Sequence, residues 1–118
     1  MDVRRAIATH TQWRFRVRGA IAGVLDERLD PSAVASDSQC ELGRWLHGAG
    51  LAYQDHPVVV ELRKTHLEFH QKAASLVSDV NAGAKVDAAS VGPGSDFMKL
   101  STRITTLLTD LGAVLRGP

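Results

Sequence analysis

The chain has one cysteine, Cys40, so no internal disulfide can staple it. A lone thiol fits a reducing compartment, and a cytoplasmic protein is expected. Aromatic residues make up 5% of the chain, so aliphatic side chains must fill most of any core. Neither sign of charge is in excess: 14 Lys and Arg against 13 Asp and Glu leave +1. That balance excludes the basic stripe with which nucleic-acid binders displace counterions. No uncharged apolar run approaches the ~20 residues that span a bilayer. The opening Met1-Asp2-Val3-Arg4-Arg5-Ala6 alternates polar and apolar residues, unlike a secretory leader. Neither nucleic acid nor membrane is therefore expected as a partner. Strand signals are weak: Val58-Val59-Val60 is the one β-branched run, and Pro57 precedes it. A glycine-rich phosphate loop, a nucleophile elbow and an H-E-x-x-H motif are all missing, which removes the commonest readings as an enzyme.

Helical periodicity is what the chain does have. At 118 residues it reads as one domain, 1–118, long enough to bury a core. A first helix is predicted from Asp2, a suitable N-cap, to Leu29. Its apolar stripe is Val3, Ile7, His10, Val17, Ile21 and Val24. Gly19 and Gly23, four apart, are read as a place for a close helix contact. Asp30-Pro31 ends this helix, and a loop of small residues follows to Ser38. A short helix is predicted from Cys40 to His47, stopped by Gly48 and Gly50. Asp55-His56-Pro57 opens a long helix to about Ala82, because proline suits the first helical position. Its stripe is Val59, Leu62, His66, Phe69, Ala73, Leu76 and Val80. A linker covers 83–94, with a weak turn around Val86 to Val91. Ser95 then caps a last helix, about 95–116, with the stripe Phe97, Leu100, Ile104, Leu107, Leu108, Leu111 and Val114. The pattern predicts an all-α fold: an antiparallel four-helix-type bundle with an additional short helix carrying Cys40.

Three histidines interrupt the apolar stripes. His66 and His70 form H-x-x-x-H, which puts both imidazoles on one helix face, one turn apart. His10 lies inside the stripe of the first helix. Taken singly, each is more often a hydrogen-bonded core residue, and a single cysteine is usually a small buried hydrophobe. Together they change the balance. Three buried imidazoles each need a polar partner, and one metal ion supplies it to all three. Three His and one Cys make a full tetrahedral set for Zn2+. His47, at the end of the short helix, and His56, before Pro57, are expected outside the set. Glu68 points away from the face that its flanking histidines share.

The residues that carry a family resemblance are His10-Thr11-Gln12-Trp13, Cys40-Glu41-Leu42-Gly43-Arg44-Trp45 and His66-Leu67-Glu68-Phe69-His70. They resemble the chemoreceptor zinc-binding (CZB) domain: a histidine shortly before a tryptophan, then Cys-x-Leu/Phe-Gly-x-Trp, then H-x-x-x-H. The matched span is about 10–82. The resemblance implies zinc held by His10, Cys40, His66 and His70 in a helical bundle that is often homodimeric. It implies a regulatory module and not an enzyme. Such modules are appended to bacterial chemoreceptors or diguanylate cyclases in chemotaxis and signal transduction, with zinc and hypochlorous acid as associated signals. This chain contains no methyl-accepting or cyclase segment, so it is either a free-standing member or a domain excised from a larger protein; the Met1 start favours the first, and its output partner is then expected on another chain.

A switch also follows from the chemistry of Cys40. A zinc-bound thiolate is electron-rich and open to oxidants, and the short helix that carries it lies between loops. Asp37, Trp13 and Trp45 are candidates for tuning the site from outside. Ile21, Val24, Leu107 and Leu111 are candidates for a homodimer seam. Two other readings stay open: a purely structural zinc module for dimerisation, and a metal-dependent enzyme with water in place of Cys40.

Overall fold

A computed structural model describes residues 1–117. Five α-helices and two short 3-10 turns account for the regular structure, with no strand among the described residues. The first helix, α1 (Val3–Ala22), starts where Asp2 accepts a hydrogen bond from the Arg5 backbone N–H at 3.1 Å. It stops well short of Leu29. Gly23 turns into the left-handed region at φ 73°, and its N–H closes on the carbonyls of Ala20 and Gly19. The chain then folds back, so the space beside Gly19 is filled by Leu25 and Val24 of its own turn. The two glycines therefore end a helix and do not form a helix-helix contact. Arg16 and Glu27, 2.9 Å apart, tie this turn together.

The expected loop after Asp30 contains a helix, α2 (Pro31–Ala35). Asp30 accepts from the Ser32 N–H and Pro31 takes the first turn, so the pair that ends one helix in the sequence reading starts another here. The short helix α3 (Glu41–Leu46) has Cys40 as its N-cap. A 3-10 turn over Ala49–Tyr53 leads to α4 (Pro57–Asn81), where His56 Nδ1 accepts from the Val58 N–H at 3.2 Å. The second 3-10 turn, Ala88–Val91, lies in the linker. The last helix, α5 (Asp96–Arg116), is capped by Ser95.

Three long helices, α1, α4 and α5, pack against one another, and α2 packs on α4. Val3 on α1 lies by Gly112 on α5, and Arg14 lies by Ser101, so these two helices run in opposite directions. His10 and Trp13 on α1 meet His66 and His70 on α4 in the same order, so α1 and α4 run in the same direction. The bundle is thus mixed and not wholly antiparallel, and its fourth position is filled by short elements. The long crossover from α1 to α4, through α2 and α3, permits this.

The core joins Ala6 and Val17 of α1, Val59, Leu62, Phe69 and Val77 of α4, and Phe97, Ile104, Leu108 and Leu111 of α5. Phe69 and Phe97 stack with ring centres 5.3 Å apart. Each fully buried aliphatic or aromatic side chain stabilises the fold by about 1.5–3 kcal/mol. Leu107 and Leu111 are spent in this core and are not available for a dimer seam, whereas Val24 is 76% exposed. Among the described residues, no helix is long and apolar enough to cross a membrane.

Candidate metal centre

His10, Cys40, His66 and His70 converge in the interior, one ligand atom from each lying within 4.8 Å of all the others. Helix geometry does most of the placing. His66 and His70 are one turn apart on the buried face of α4, and His10 is on the buried face of α1 beside them. Cys40 arrives from the start of α3. Its sulfur lies 3.2 Å from His66 Nε2, 3.9 Å from His10 Nε2 and 4.0 Å from His70 Nε2. His66 Nε2 and His70 Nε2 are 3.1 Å apart. With zinc bonds of about 2.0–2.1 Å to nitrogen and about 2.3 Å to sulfur, tetrahedral ligands stand about 3.4 Å apart for two nitrogens and about 3.6 Å for nitrogen and sulfur. The sulfur–nitrogen separations bracket the expected value and the His66–His70 separation falls a few tenths of an ångström short of it, so the donor set fits zinc.

The tautomers fit as well. His70 Nδ1 donates to the Val34 carbonyl at 2.8 Å, which leaves the Nε2 lone pair facing inward. His10 and His66 also turn Nε2 inward, and their buried Nδ1 atoms have no partner. Burial pushes the His10 imidazolium down to about 3, helped by neighbouring His70, and His66 down to about 2, helped by His10 and His70. Burial lowers His70 too, against the opposing pull of the Val34 carbonyl and Asp37. All three rings are therefore neutral near pH 7, the form that binds a metal. Burial raises the Cys40 thiol, while the Gly43 N–H, 3.3 Å from Sγ, favours the thiolate.

Gly43 explains the cysteine motif. A Cβ at this position would stand 1.7 Å from the Asp37 carbonyl oxygen, because the backbone of residues 37 and 38 crosses directly over it. That crossing brings Cys40 down to the histidines. Asp37 itself turns its carboxylate to His47, 3.6 Å away, and His47 stays outside the four. Trp13 meets the edge of His70 at 6.2 Å, with the Arg16 guanidinium 4.4 Å above its ring. Trp45 stacks on Tyr53. Glu68 is exposed, pointing away as expected. An open cleft of about 760 Å³ reaches Cys40 between Trp13 and Trp45, with Arg5, Glu41 and Arg44 on its walls.

Residues 10–77 match the family model of the chemoreceptor zinc-binding domain. The chain belongs to this family. No solved structure matches it. As a CZB domain it carries its three His and one Cys within that matched span, in an arrangement consistent with zinc. Three features of the centre went unread in the sequence: the Val34 carbonyl behind His70, the crossing over Gly43, and the pairing of Arg5 with Glu41. The first two depend on α2 and on the loop that follows it. Asp30-Pro31, a legitimate cap and first-turn proline, was the available signal for α2.

Proposed function

We propose that this CZB domain is a zinc-binding sensory regulator in bacterial signalling, with His10, Cys40, His66 and His70 as the metal ligands and Cys40 as a redox switch. The observation that carries this reading is the contrast among the four. The histidines sit mid-helix and are 0–3% exposed, whereas Cys40 caps a six-residue helix beneath an open cleft and is 8% exposed. Bound zinc supplies a stabilised Cys40 thiolate where burial alone favours the thiol.

The Cys40 sulfur attacks the chlorine of hypochlorous acid. An S–Cl bond forms as the Cl–O bond breaks and hydroxide leaves. Water then displaces chloride from sulfur, a proton is released, and Cys40 is left as the sulfenic acid. Sulfur is oxidised by two electrons and chlorine is reduced to chloride. The sulfenic acid is a poorer metal ligand, so Cys40 and the start of α3 move out, while His10, His66 and His70 remain grouped. Zinc occupancy itself is the alternative signal. The domain acts as a homodimer in the cytoplasm, is not an enzyme, and passes its state to a chemoreceptor or diguanylate cyclase partner.

Near-complete burial of three imidazoles among core side chains also supports a second reading, a structural zinc module for dimerisation. Stopped-flow tryptophan fluorescence with hypochlorous acid and with hydrogen peroxide separates the two, backed by mass spectrometry of the Cys40 peptide and a Cys40→Ser control. The switch requires faster reaction with hypochlorous acid and a signal lost in Cys40→Ser. If Cys40 stays reduced while Met1 and Met98 oxidise, the structural module is the better account. Sedimentation showing only monomer at about 10–100 µM, where modest affinities assemble, would remove the homodimer.

A further inference from the structure

Residues 28–46 form a strap over the four-residue centre, and its polar ties are unevenly shared. Apart from the contacts of the Cys40 sulfur with the three histidines, four of them run to α4. Arg28 donates to the Asn81 carbonyl at 3.1 Å, and Asn81 Nδ2 donates to the Leu29 carbonyl at 2.8 Å. His70 Nδ1 donates to the Val34 carbonyl, and Arg63 donates to the Leu46 carbonyl at 2.6 Å. Toward α1, the one side-chain ion pair among the described residues is Arg5 with Glu41. It is two-pronged: Arg5 Nε lies 3.1 and 2.9 Å from the two Glu41 oxygens, and a terminal nitrogen lies 2.7 Å from Oε1. Glu41 directly follows Cys40. A guanidinium on one helix thus grips the residue beside the sulfur on another, 36 positions away.

We propose that Arg5 is a positioning residue for Cys40: its pairing with Glu41 latches the cysteine end of the strap onto α1 and sets how readily the sulfur leaves the histidines. The strap then opens on its α1 side while α4 keeps hold of it. This extends the reading of Cys40 as the mobile ligand, although the latch itself can be scored without any oxidant. Arg5 is 70% exposed at its side chain and Glu41 19%, so the pair is screened by salt. An exposed pair of good geometry favours its docked state by a factor of about five at most.

The experiment measures the rate at which iodoacetamide alkylates Cys40 in the full, zinc-loaded chain under native conditions. Arg5→Gln and Glu41→Gln are each expected to speed alkylation about three- to fivefold, with Arg4→Gln, a nearby exposed arginine, unchanged. The exchanged pair, Arg5→Glu with Glu41→Arg, should return to within about twofold of the parent, because a paired latch reforms with its charges reversed. Arg5→Lys, which keeps the charge and loses the fork, should fall between. Added salt should speed the parent and leave Arg5→Gln unaffected. The latch is overturned if Arg5→Gln matches Arg4→Gln, or if neither the exchanged pair nor Arg5→Lys restores any protection. An inert Cys40 toward oxidants, with the alkylation pattern intact, overturns the redox reading and leaves the latch standing.

Discussion

At Gly43 a single methyl group decides whether the site can assemble. Its Cβ would meet the Asp37 carbonyl oxygen at 1.7 Å and the Ser38 Cα at 2.9 Å, and both belong to backbone that cannot swing aside. Gly43→Ala should therefore destabilise the fold by about 3 kcal/mol, the upper part of the overpacking range. Urea unfolding measures it, and a change under about 0.5 kcal/mol, typical of an ordinary surface site, would contradict the crossing. The ligands themselves should separate into two grades. His66→Ala and His70→Ala are expected to release zinc and loosen the bundle, since metal binding is part of the folding free energy. Cys40→Ala should retain more zinc, because three histidines remain; metal analysis after gel filtration reads the difference.

Acid should act through the same rings. His10 and His66 have their folded pKa values lowered to about 3 and about 2 from 6.5. Between those values and 6.5 the unfolded chain binds more protons than the folded one, so stability rises with pH across that window. The metal-free chain should melt at a lower temperature at pH 5 than at pH 7, and equal melting temperatures would count against neutral buried imidazoles. The three histidines were legible in the sequence because their side chains break apolar stripes, and Cys40 because it is the one cysteine, at the head of Cys40-Glu41-Leu42-Gly43-Arg44-Trp45. Val34 was not, because it serves through its carbonyl, which every residue has.

Among the elements, length governed what could be read. Twenty or more residues of α1, α4 and α5 repeat their apolar pattern over several turns, and each was visible. The five residues of α2 complete little more than one turn and show no period. The end of α1 was misplaced for a different reason: Ile21 and Val24 continue the stripe past Gly23, and periodicity alone does not register a left-handed backbone angle. The Asp30 cap offers a direct check on α2. Asp30→Ala should lower stability by about 1 kcal/mol. It should also speed hydrogen exchange across residues 31–35 more than in α5, and a uniform change along the chain would argue against a local cap.

For the whole molecule, sequence periodicity gives each helix a face without giving it a direction. That is why the shared direction of α1 and α4 emerged only from the pairing of His10 with His66 and Trp13 with His70. Stacked Phe69 and Phe97 join α4 to α5, and the Phe69 ring also meets His10 of α1 edge-on, so Phe69→Ala should cost about 3–5 kcal/mol. It should do so in metal-free protein as well, which distinguishes loss of packing from loss of zinc. Differential scanning calorimetry with and without a chelator measures both.

The opposed directions of α1 and α5 put Val3 beside Gly112. The first turn of α1, with Arg5, and the last turns of α5 are therefore neighbours. A segment from Val3 to Arg116 could be spliced into a surface loop of an unrelated host with little stretching at either junction. The graft would put the Arg5–Glu41 grip within a turn of the seam. A host with a fluorescent or enzymatic output would then become a transplantable gauge of the strap's position.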